Sequence, residues 1–146
     1  MKIAVSTDER THLVDVILDE LKKRGHEIIY FGPESDESVD WPVVTCQTAE
    51  MVARGDADEG IVMCWTGTGC SIASNKVKGI RAALYYGKDI KIVRLSRTHN
   101  NTNILSLGAK FLTKEEAIKA VNIWLETDFS SEPRHLRRIK KISDAE

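Results

Sequence analysis

The sequence predicts an α/β protein, a three-layer, Rossmann-like α/β/α sandwich around a five-stranded parallel sheet. Three observations predict it. Short apolar runs alternate with helical segments along the chain, the pattern of repeated strand–helix–strand units. The third run, Ile61–Cys64, is apolar throughout, as a strand covered on both faces should be. A glycine-rich turn, Thr66-Gly67-Thr68-Gly69, follows that run, and open parallel sheets bind ligands beyond the carboxyl ends of their strands.

Each element has its own signal. Lys2–Ser6 is a short apolar strand. Between Thr11 and Arg24, Leu13, Val14, Ile17, Leu18 and Leu21 recur at helical spacing, and Gly25 after three basic residues is a helix stop. His26–Phe31 is the second strand, closed by Gly32-Pro33, and the acidic stretch Glu34–Asp40 reads as a loop. Pro42 suits the first turn of a helix that runs to about Arg54, where Gly55 ends it. After the glycine turn, Ser71–Val77 predicts a short helix and Ile80–Tyr85 the fourth strand. Gly87-Lys88-Asp89 opens a helix to about Arg97, and Ile104–Leu107 is the fifth strand. Thr113-Lys114-Glu115-Glu116 is a capping box, heading a helix that buries Ala117, Val121, Trp124 and Leu125. The basic tail from Arg134 to Ile142 predicts a last helix.

With 146 residues, the chain suits a single domain, 1–146, with a substantial core. A net charge of −1 gives no reason to expect a nucleic-acid or anionic-membrane partner. No apolar run is long enough to span a bilayer, and MKIAVSTDER turns charged too early for a signal peptide. Three cysteines with no CxxC pair argue against a disulfide framework or a structural zinc, and for a reducing cytoplasm.

Chemistry gathers in three places. Gly67 and Gly69 let backbone amides converge, and Thr66, Thr68 and Ser71 add hydroxyls, an arrangement that stabilises negative charge. The plainer alternative is a tight turn without a ligand. The loop is neither a P-loop nor a dinucleotide fingerprint, because a Lys-Ser/Thr pair and the third glycine are missing. Cys64 ends a buried strand facing this loop, and Cys70 lies inside it. Either thiol beside converging amides can have its pKa lowered and act as nucleophile or base. Both can equally be small buried hydrophobes. Cys46, among Val43, Ala49 and Val52, reads as core, and His12 and His26 as surface or packing residues. The second place is the polar run Ser96–Asn103. Its His99, between a helix and a strand, can shuttle protons near neutral pH, and its asparagines can bind hydroxyls or simply turn the chain. The third is the basic tail, which is either a solvated face or a phosphate clamp.

Taken together, Asp8 after the first strand, the Cys64-x-Thr-Gly-x-Gly loop with SIASNKVKGIRA, the Arg97-x-His-Asn-x-x-Asn run and the Arg134-His-x-x-Arg138 pair resemble the ribose-5-phosphate isomerase B family and its galactose-6-phosphate isomerase relatives. The resemblance covers nearly the whole chain. It implies an aldose–ketose isomerase of small sugar phosphates, needing no cofactor or metal and working through a cis-enediolate. It assigns Cys64 as the base, with Cys70 as the second candidate, because some members carry a glutamate base at that place. It assigns Thr66 and the amides from Gly67 through Thr68, Gly69 and Cys70 to Ser71 to the enediolate, and His99 to ring opening. Asp8 would hold a sugar hydroxyl, Asn100 would touch substrate, and Arg134 and Arg138 would clamp the phosphate. It also implies a homodimer or dimer of dimers whose sites draw on both copies, with segment 130–146 completing the site or the dimer.

Three residues depart from the family pattern. Glu9 stands where a phosphate-holding histidine is usual, and a carboxylate there repels phosphate by about 1 kcal/mol or more. Trp65 replaces a small residue, and Trp41 a tyrosine. All three fall on pocket positions. They leave open an isomerase shifted to tetrose or hexose phosphates, or a non-catalytic sugar-phosphate-binding relative or subunit.

Overall fold

The computed structural model describes residues 1–146. Five strands, β1 (Lys2–Thr7), β2 (Glu27–Phe31), β3 (Glu59–Cys64), β4 (Ala82–Tyr85) and β5 (Ile104–Gly108), pair in parallel throughout. Their order in the sheet is β2-β1-β3-β5-β4. Six helices connect and follow them: α1 (His12–Lys23), α2 (Trp41–Ala53), α3 (Thr68–Ser74), α4 (Lys91–Asn100), α5 (Lys114–Glu126) and α6 (Pro133–Ser143).

Strand side chains alternate between two cores because the strand repeat is two residues. Ile3, Val5, Ile61, Met63, Leu105 and Leu107 point to one face and meet α1 and α5. Ala4, Val62, Cys64 and Ile104 point to the other, where α2 and α3 lie. This second core is built from small groups. A Cβ on Gly60 would stand 3.1 Å from both Ile104 and Thr48, so α2 sits hard against the sheet. The alternation decides that Cys64 faces α2 and α3.

Sequence and structure differ at three informative places. The helix expected at 71–77 begins at Thr68, because Gly67 adopts φ +74° and turns the chain straight out of β3. The helix expected from Gly87 to Arg97 runs from Lys91 to Asn100, so His99 and Asn100 close a helix rather than sit in a loop. Asn101, at φ +45°, stops it. On α2 the inward face is Val44, Thr45, Thr48, Ala49 and Val52. Cys46 is therefore half-buried and Val43 exposed, a correction to the core reading of both. Two threonines on the inner face disguise the helix's apolar stripe.

The amino end of the sheet has its own anchor. Glu59, first residue of β3, pairs with Arg97 of α4 at 2.6 Å, both largely buried. Burial pushes the Glu59 carboxyl up to about 7, with Arg97 opposing. Arg97 also lies over the Trp124 ring, 4.9 Å from its centre, and donates to the Thr102 and Thr127 carbonyls. The last turn of α4, which carries His99 and Asn100, is thereby pinned to the start of β3. Helix α6 packs on α4 through buried His135.

Candidate active site

Beyond the carboxyl end of β3, the loop and α3 wrap around one sulfur. The Cys70 side chain and the Cys70 and Gly67 amides are the groups that stabilise a Cys64 thiolate. These donors favour the thiolate and bring its pKa down to about 6, against the opposing effects of burial and the Asp8 charge. Cys70 moves the other way. The Cys64 side chain and burial both push its pKa up, so it remains a thiol. Behind it, the buried Thr45 hydroxyl donates to Cys70 Sγ at 3.2 Å.

The remaining loop amides are mostly occupied. Ser71 N–H donates to the Gly67 carbonyl at 3.0 Å, and Thr68 N–H to Thr66 Oγ1 at 3.2 Å. Gly69 N–H takes no acceptor in the chain. Of the five amides expected to face a substrate oxyanion, two serve the cysteine sulfur, two serve the loop, and one is open. The Thr66 and Thr68 hydroxyls bond each other at 2.6 Å, and Ser106 Oγ braces the Gly67 carbonyl from β5 at 2.7 Å.

Cys64 opens onto a cavity of about 420 Å³ lined by Asp8, Trp41, Cys64, Trp65, Thr66, Thr68 and Gly69. Burial raises the Asp8 carboxyl. Trp41 packs its ring against Gly69, where a Cβ would stand 3.0 Å away. A larger cleft of about 690 Å³ adjoins through Thr66 and Thr68 and is otherwise lined by Tyr86, Gly87, Lys88, Phe111 and Glu116. At the rim, Trp65 Nε1 donates to Glu9 Oε2 at 3.2 Å, and the Lys110 ammonium sits 4.3 Å from the centre of the indole. Glu9 is thus tethered to Trp65. Lys110 escaped sequence reasoning, because only the β3–β5 pairing brings its backbone to Trp65.

The other expected site residues lie elsewhere in the chain. Arg81 Nε donates to the Asn100 and Asn101 carbonyls, and Asn103 bonds the residues just before β4, so this run sits at the amino end of the sheet. Cys64 sits at the carboxyl end. Along β3 that is four residue steps, about 13 Å, before side chains are counted. There His99 stacks on His135, ring centres 4.4 Å apart and planes within 14°. His135 has its pKa lowered by burial and by His99. Arg134 pairs with Glu132 at 2.8 Å on the exposed side of α6, and Arg138 stands exposed one turn on. One chain therefore brings Asp8, Glu9, Cys64, Trp65, Thr66, Gly67, Thr68, Gly69, Cys70 and Ser71 together. It gathers His99, Asn100, Arg134 and Arg138 into a second, separate group. No three His, Cys, Asp or Glu side chains are grouped to hold a metal ion.

This arrangement defines an open-sheet α/β protein with a cavity at the carboxyl edge of its sheet. Residues 3–142 match the family model described as Ribose/Galactose Isomerase. Ribose-5-phosphate isomerase B of Escherichia coli is 39% identical over 130 residues, 89% of this chain and 85% of that protein. Among solved structures, ribose-5-phosphate isomerase B of Clostridium thermocellum is 44% identical with a TM-score of 0.93, covering 99% of this chain and 97% of that one. The Mycoplasma genitalium enzyme of the same name, solved with bound ribulose-5-phosphate, is 35% identical with a TM-score of 0.91, covering 99% and 95%. The chain belongs to the ribose/galactose isomerase family.

Proposed function

We propose that the protein interconverts the aldose and ketose forms of a small sugar phosphate by moving one proton between adjacent carbons through a cis-enediolate. The observation that carries this reading is the Cys64 sulfur, held among donors and opening onto a cavity shared with Asp8, Thr66 and Gly69. A carbon acid beside a carbonyl needs a base within reach and donors for the oxyanion. Cys64 acts as the base. The Gly69 amide and the Thr66 hydroxyl face the developing charge, and Asp8 holds a sugar hydroxyl. His99 opens the ring, Asn100 touches substrate, and Arg134 and Arg138 clamp the phosphate, all four supplied by a second copy of the chain. The distance between the two groups within one chain supports that division.

Pentose 5-phosphate is the first substrate to test, since relatives named for it match across nearly the whole chain. The Glu9–Trp65 tether favours a second reading, a substrate of different length, because an indole and a carboxylate occupy the pocket rim. Four-, five- and six-carbon aldose phosphates are incubated in D2O, and deuterium entry at carbon 2 is followed by NMR with ketose formation. One sugar phosphate is expected to isomerise, with deuterium entering only to the extent that the base exchanges with solvent before returning the proton. Cys64→Ala is expected to lose about a thousandfold or more in kcat while keeping its fold. No ketose formation with any of the set would overturn the isomerase reading and leave a binding protein.

A further inference from the structure

We propose that Glu59 and Arg97 are positioning residues: their buried pair locks the last turn of α4 to the start of β3 and so sets how His99 and Asn100 are presented to the site of a second copy. The effect on turnover rests on the isomerase reading. The effect on the His99 ring does not.

Three segments hold Arg97 at once. Its Nη2 pairs with Glu59 Oε1, at the first residue of β3, 2.6 Å away. Nη1 donates to the Thr102 carbonyl, between α4 and β5. Nε donates to the Thr127 carbonyl, just past α5, at 3.1 Å. The guanidinium also lies over the Trp124 ring, and the indole N–H donates to Thr102 Oγ1 at 2.9 Å. In the same turn, buried Ser96 Oγ meets Thr102 Oγ1 at 3.1 Å. A guanidinium is planar, with its donors in a fixed fork. Bonds in three directions therefore fix its plane as well as its place.

His99 follows Arg97 by two residues, about 200° round the helix. Holding Arg97 against the sheet turns His99 away from it, onto His135. The support behind Arg97 is stiff, because β3 pairs with β1 on one side and β5 on the other. One strand thus ends in Cys64 and begins with the anchor of the His99 group.

Stability is a poor reason for this pair. A buried ion pair often gains nothing over apolar side chains of similar volume. Glu59 also leaves its Oε2 buried without a partner, which costs free energy. What the pair supplies is geometry, at the turn that carries His99 and Asn100.

The test combines the His99 ring with turnover. Glu59→Leu together with Arg97→Met removes the pair without leaving a buried charge, and Glu59→Gln keeps the acceptor. In NMR, the stacked His99 and His135 rings give a proton–proton NOE in the parent. The double variant is expected to weaken that NOE at least about twofold and to lower kcat/KM about tenfold or more, and Glu59→Gln to restore both toward the parent. Refolded as an equal mixture with Cys64→Ala chains, the double variant should regain about a quarter of the parent activity, because its own Cys64 is intact and its companion supplies His99. Mixed with His99→Ala chains it should regain none. An unchanged NOE in the folded double variant overturns the proposal. Recovery with His99→Ala chains overturns it too, and so does recovery with neither when Cys64→Ala and His99→Ala chains complement each other. If the double variant does not fold, Arg97→Lys, which keeps the charge and loses the fork, is read in its place. A weakened NOE in a protein whose parent turns over no sugar phosphate upholds the anchor and overturns the isomerase reading instead.

Discussion

A methyl group on Gly67 would stand 2.5 Å from Leu84 Cδ1 and 2.8 Å from the Gly108 nitrogen, on a backbone already at φ +74°. Strain and overlap add at one position, so Gly67→Ala is expected to lose about 3 kcal/mol of stability, read from the urea midpoint at unchanged m. At Cys64 the prediction concerns pH. A thiol brought from 9 to about 6 is thiolate above that value and protonated below it. Since a base works only when deprotonated, kcat/KM should fall on an acid limb lying below the ordinary thiol range, and a limb near 9 would show that the Cys64 pKa is not lowered. At this scale the contiguous part of the site was legible. Cys64, Thr66, Gly67 and Gly69 lie within six residues, so the turn that follows a buried strand brings them together. Thr45 was not, because it meets Cys70 only across two packed helices, 25 residues apart in sequence.

Asn75, just after α3, does the work of a missing strand. Its side-chain amide donates to the Ala82 carbonyl at 3.0 Å and accepts from the Ala82 N–H at 2.9 Å, sealing the outer edge of β4 at its start. It also donates to the Ser71 carbonyl at 2.9 Å, tying α3 to the sheet. Asn75→Ala is expected to cost about 1–2 kcal/mol, because these groups lie where water can replace the bonds. Amide exchange at Ala82 should quicken well before the global midpoint moves, and an unchanged Ala82 rate would contradict the sealing role. Elements were the most legible level of all. Every strand and helix has its counterpart in the sequence reading, with stop signals at Gly25 and Gly55 and a start signal at Thr113. Boundaries slipped where one backbone angle decided them. Gly67 starts α3 early and Asn101 ends α4 late, and neither angle is written in a side-chain pattern.

At the scale of the whole molecule, the candidate site residues are divided between the two ends of one parallel sheet. Cys64 and its donors hold the carboxyl end, while the His99–His135 stack and the arginines of α6 belong with the other. The sequence resemblance named both groups but not their separation, which follows from α4 running back along the sheet. If a second copy completes each site, Cys64→Ala and His99→Ala chains, each inactive alone, should regain about a quarter of the parent activity when refolded as an equal mixture. Half the pairs are then mixed, and each mixed pair holds one intact site. No recovery would show that each chain works with its own residues only. The same division has a genetic edge. A single chain carrying both lesions spoils every site it touches, its own and its companion's. Co-expressed in equal amounts with the parent chain, it should therefore act as a dominant poison, leaving activity to the undamaged pairs alone.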